Sequence, residues 1–134
     1  MNQPMPIAIR LVFAICLSGL LLHLFTVTFR AEGDLDWAGL GFLAGLLVWS
    51  LVPYLVWASV ALMKRHMDPA IGGAAATLGF DLYMHYSVFV SPTGSTAALG
   101  LLFAPLWNLL LFGPIGAATS WLLLSLARRI RRST

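Results

Sequence analysis

Four long apolar runs alternate with short polar interruptions along the chain. The first run covers about residues 7–29 and gives way to Arg30-Ala31-Glu32-Gly33-Asp34-Leu35-Asp36. Trp37 opens the second, about 38–63, which ends at Lys64-Arg65-His66-Met67-Asp68. The third covers about 69–90 and is followed by the turn-rich stretch Ser91-Pro92-Thr93-Gly94-Ser95-Thr96. The fourth extends over about 97–127. Crossing ~30 Å of hydrocarbon takes about 20 apolar residues in a helix. Each run meets that length, and none carries the polar face of a helix packed on a soluble core. The pattern predicts an all-α membrane protein: a bundle of four transmembrane helices forming a single domain over residues 1–134.

Local signals mark the ends of these spans. Asp68 reads as an N-cap and Pro69 suits the first turn of the third helix, where its missing N–H has no partner to lose. Ser95 or Thr96 reads as the cap of the fourth. Arg10 resembles the basic start of a signal peptide, but the apolar stretch after it exceeds the ~7–15 residues of such a segment. No small-residue cleavage site follows it, so the first helix is expected to be retained.

The third and fourth spans are unusual. The third is rich in Gly and Ala and places Asp81 near its centre, where a charge costs ~2.5–3.5 kcal/mol on insertion scales. It is therefore expected to be enclosed by its neighbours. The fourth is too long: about 30 residues make ~45 Å of helix. Pro105 and Pro114 are expected to kink it.

Composition narrows the function classes. Of 134 residues, 60% are hydrophobic and 10% charged, against roughly a quarter charged in soluble domains. The net charge of +3 does not imply nucleic-acid binding, because the basic residues sit at helix ends. Arg10, Lys64, Arg65, Arg128, Arg129, Arg131 and Arg132 fall on one side, whereas Arg30 stands beside Glu32, Asp34 and Asp36 on the other. By the positive-inside rule both termini are cytoplasmic, and the short loops suggest a bacterial inner membrane. Arg128, Arg129, Arg131 and Arg132 are expected to meet anionic headgroups. The lone cysteine, Cys16, has no partner for an intramolecular disulfide.

Two constellations stand out. Gly72, Ala76, Gly79, Tyr83 and Tyr86 recur at spacings of four and three, the period of left-handed helix packing. They predict a close helix contact, with Gly41 and Gly45, or Gly113, Gly116, Ala117 and Ser120, able to receive it. Either the bundle itself, a second copy or a foreign membrane protein would cover that face.

The second is polar. Thr77, Asp81 and His85 follow at intervals of four on one stripe of the third helix. Counted from the outer end of each span, His85 lies ~7 Å deep, His23 ~9 Å, Asp81 ~13 Å and Asn108 ~16 Å. If their faces turn inward they form one cluster in the outer half of the bundle, with Asp81 bonded to His85 and Asn108. Such a group either glues a weak third helix in place or moves protons. Two histidines and a carboxylate lack the tight spacing of a zinc motif, so no metal or cofactor is expected.

There is no P-loop, dinucleotide fingerprint, nucleophile elbow or paired-cysteine site, and the chain reads as a non-enzyme. The leading expectation is an interaction protein binding another membrane protein through its helices, as an accessory subunit or as an immunity protein against a pore-forming toxin. The alternative is a homo-oligomeric proton-coupled transporter or small cation channel using Asp81 and His85.

Overall fold

The computed structural model describes residues 5–30, 36–63, 67–91 and 97–133, and all of the regular structure there is helical. Helix α1 covers Ile7–Arg30, α2 Trp37–Leu62 and α3 Met67–Phe89. The fourth apolar run forms α4, Ala97–Trp107, a π-helical segment, Asn108–Phe112, and α5, Gly113–Ser133. Among the described residues, three stretches are long and apolar enough to cross a membrane: Ile7–Thr26, Trp37–Leu62 and Leu99–Arg132. The expected caps at Ser95 or Thr96, and His66, lie outside the described residues.

Helix ends differ from expectation in two places. Asp68 is not the N-cap of α3, because the helix begins one residue earlier and places Asp68 in its first turn. A carboxylate there still complements the positive end of the helix, and it also accepts a hydrogen bond from Arg128 Nη2 of α5. The arginine-rich segment after residue 127 continues the last helix to Ser133 rather than leaving it. At the start of α2, Asp36 is a true cap: its Oδ1 accepts from the Gly39 N–H at 2.8 Å.

Helix α3, the least apolar of the long runs, occupies the centre and packs against α1, α2, α4, the π segment and α5. Its small residues make this possible. A side chain on Gly72 would run into the Gly116 backbone and Ser120, and one on Gly116 would strike Ala76. The α3–α5 contact is thus backbone against backbone, the close approach on which membrane helices rely. Gly41 and Gly45 do not receive this face; both are exposed, with open space where a side chain would stand.

Val12 of α1, Trp57 and Ala61 of α2, Ala70 and Ala74 of α3 and Ala117 of α5 form one core cluster. It joins the start of α1 to the end of α2 and the start of α3, as antiparallel neighbours must. The large apolar side chains exposed on the outside of the bundle are mostly Leu, Phe, Ile and Val, the residues lipid accepts at no cost.

The π segment lies between the two prolines of the fourth run. Gly113 N–H bonds the Asn108 carbonyl, five residues back. Pro114 has no N–H to give and crowds the carbonyl four residues earlier, so a widened turn just ahead of it relieves the clash. Further back, Trp49 Nε1 of α2 donates to the Leu102 carbonyl at 3.0 Å, one turn before Pro105.

Candidate functional site

The Thr77–Asp81–His85 stripe of α3 turns inward. Thr77, Asp81 and His85 are buried, as are His23 of α1 and Asn108 of the π segment. Asp81, 2% exposed, is the hub. Its Oδ2 accepts from the Tyr54 hydroxyl at 2.7 Å and from His23 Nε2 at 3.1 Å, and its Oδ1 accepts from Asn108 Nδ2 at 2.7 Å. One carboxylate on α3 thereby ties together α1, α2 and the π segment. An ionised carboxylate only accepts, and three donors converging on it replace much of the hydration it gives up on burial.

His85 does not bond the carboxylate, contrary to the expectation from the stripe. Side chains on a helix lean back toward its N-terminus, so the Asp81 carboxylate leans away from His85. The imidazole leans over the Asp81 backbone instead, and its Nδ1 meets the Asp81 carbonyl at 2.7 Å. The His85 and His23 rings lie edge to face with centroids 5.2 Å apart. Thr77 sits one turn below Asp81 and accepts from Trp57 Nε1 at 3.2 Å.

Two aromatic donors that reach these polar groups do so through glycine gaps. The Tyr54 ring lies against Gly19 of α1, where any side chain would overlap it. The Trp57 ring lies in the same way over Gly73 of α3. Each glycine removes the one Cβ that would block an aromatic side chain from its buried acceptor. Tyr54, Gly19 and Gly73 were not among the sequence candidates. A usable signal was present, since a tyrosine in mid-span needs a partner for its hydroxyl if it is buried.

A small cavity of about 30 Å³ adjoins the cluster, with His23, Thr26, Ser50 and His85 among its walls. Two polar atoms of the cluster, His85 Nε2 and Asn108 Oδ1, are buried without a hydrogen-bond partner among the described residues. Among the described residues no group of three or more His, Cys, Asp or Glu is placed to hold a metal ion.

The small-residue stripe of α3 divides. Gly72 and Ala76 are consumed by the α5 contact. Gly79, Tyr83 and Tyr86 instead face outward: nothing stands within 4 Å of a side chain built at Gly79, and the two tyrosines are 63% and 57% exposed. Neither of these hydroxyls meets a hydrogen-bond partner among the described residues. Arg128, Arg129, Arg131 and Arg132 are all exposed on the last turns of α5. Comparison with protein-family models, curated proteins and solved structures finds no match to this chain.

Proposed function

We propose that this chain is a small non-catalytic protein of the bacterial inner membrane, with both termini cytoplasmic, that acts by binding another membrane protein through the outer face of α3. The observation that carries this reading is the Gly79–Tyr83–Tyr86 face. It keeps the spacing of a packing seam yet has no helix of its own bundle upon it. Two phenol hydroxyls on an otherwise apolar face are open hydrogen-bond donors, and a partner helix with an open carbonyl or a polar side chain satisfies them. Gly79 lets the partner's backbone come close. An accessory subunit and an immunity protein against a pore-forming toxin both work in this way. Arg128, Arg129, Arg131 and Arg132 hold the inner end of the bundle at anionic headgroups.

Photo-crosslinking tests it. A benzophenone amino acid at Tyr83 or Tyr86, irradiated in native membranes, is expected to give a discrete adduct with a second polypeptide. The same probe at Leu110, on the lipid-facing side of the π segment, is expected to give lipid adducts only. Lipid adducts alone from all three positions would remove the proposal, and an adduct at twice the chain's own mass would make the partner a second copy.

A second reading rests on a separate observation, the His23–Asp81 pair beside a cavity that His85 also lines. In it the chain is a homo-oligomeric proton-coupled transporter or small cation channel. Flux in proteoliposomes that is lost in Asp81→Asn supports it, and no flux from the wild type under any proton or cation gradient removes it.

A further inference from the structure

The cavity between α1, α2, α3 and α4 has a chemistry that the partner-binding reading leaves unused, and it does not depend on that reading. His85 fixes its character. The Asp81 carbonyl can only accept, so the Nδ1 facing it carries the hydrogen. In the neutral ring the other nitrogen, Nε2, is then a lone pair. That atom is buried, in a residue 8% exposed, and no group among the described residues donates to it. A lone pair walled off in this way needs a donor.

The other walls limit what the donor is. Thr26 gives its own hydrogen to the Leu22 carbonyl at 2.9 Å, which leaves it only oxygen lone pairs to offer. His23 uses Nε2 on Asp81, so its neutral ring also turns an acceptor elsewhere. Ser50, buried on α2, both donates and accepts. A guest that meets His85 Nε2 donates a hydrogen to it, and it can take one from Ser50. The remaining walls are leucines, Leu46, Leu47 and Leu101. At about 30 Å³ the cavity excludes organic ligands, yet it exceeds the ~10–15 Å³ that one water occupies by this measure.

We propose that the cavity is a built water site. A bound water donates to His85 Nε2, accepts from Ser50, and turns its second hydrogen to Thr26 or His23. With that hydrogen on His23, the water extends the Asp81–His23 network to His85, and the two histidines share one hydrogen-bonded chain although their rings do not bond each other. Thr26 and His85 also line a wider groove between α1 and α3, so the same two side chains form the wall through which this water exchanges.

The test is water-to-protein polarisation transfer by NMR on the full chain in lipid nanodiscs, with labelled His and Thr. Thr77 is the dry control, since it is fully buried and already bonded to Trp57. Transfer from water to the His85 ring is expected at mixing times where Thr77 shows none. It should disappear in Ser50→Leu, which fills the cavity, and weaken in Ser50→Ala, which removes one partner without adding bulk. His85 transfer no greater than that of Thr77 in the wild type would overturn the proposal, as would unchanged transfer in both variants. Should Ser50→Leu fail to insert, the wild type and Ser50→Ala still decide it.

Discussion

The Tyr54 hydroxyl donates to Oδ2 of Asp81 at 2.7 Å, crossing from α2 to α3 through the space that Gly19 leaves in α1. This contact makes the buried carboxylate a joint between helices rather than an isolated charge. Tyr54→Phe keeps the ring and removes the donor. A loss of about 0.6–2 kcal/mol is expected, the range of interhelical hydrogen bonds in membranes. Unfolding in a mixed-micelle denaturant titration measures it. Tyr83→Phe, on the outer face of α3, should leave that stability unchanged.

Removing the hub should cost more than removing one spoke. Asp81→Ala strands the Tyr54 hydroxyl, the Asn108 amide and His23 together, and each buried polar group left without its partner costs about 1–3 kcal/mol. In a double-mutant cycle with Asn108→Ala, the two losses should sum to more than the double variant loses, because both remove the same 2.7 Å contact. Additive losses would show that the contact contributes nothing to stability.

The glycine gaps give a steric prediction. Gly19→Leu and Gly73→Leu each place a side chain where an aromatic ring lies. Overpacking of this kind typically costs about 1–3 kcal/mol. Both should destabilise the bundle, as seen by thermal unfolding in detergent, while Gly41→Leu and Gly45→Leu, which face open space, should be neutral.

The outcome at these positions shows what a chain of this kind discloses. Asp81, His23, His85, Thr77 and Asn108 are legible as a group, because a polar side chain inside an apolar run is tolerated chiefly where other polar groups meet it. Which of them bond each other is not legible from spacing. Depth counted along the backbone places Asp81 and His85 one turn apart on a single stripe, but side-chain lean separates the carboxylate from the imidazole. The same lean brings in Tyr54, whose long side chain reaches beyond the level of its own backbone. The division of the α3 stripe is hidden for another reason. Spacing of small residues marks a face that can be approached closely, without saying which helix approaches it. Hence Gly116 and Ser120 meet Gly72, while Gly41 and Gly45 meet nothing. The two prolines signal disturbance in the fourth run, but the π segment also depends on the packing of Asn108 and Gly113 against α3 and Trp57.

At the far end of the bundle, Arg128 and Asp68 join α5 to α3. The Arg128 side chain is 55% exposed and that of Asp68 22%, and pairs open to solvent in this way contribute at most about 1 kcal/mol and weaken with salt. Arg128→Ala should lower stability slightly at low ionic strength and not at all at high ionic strength. A large loss that persists in high salt would point to a packing role for the arginine stem.

Two glycines on the same stripe of α3 separate folding from binding most directly. Gly72 is closed off by α5, and Gly79 is open. The decisive measurement compares Gly72→Leu and Gly79→Leu by thermal stability in mild detergent and by what co-purifies from native membranes. Gly72→Leu is expected to destabilise the bundle itself. Gly79→Leu should unfold at the wild-type temperature but lose a membrane protein that the wild type retains. A Gly79→Leu variant that keeps every co-purifying protein, or a wild type that brings none with it, would contradict the assignment of the outer face of α3 to a partner.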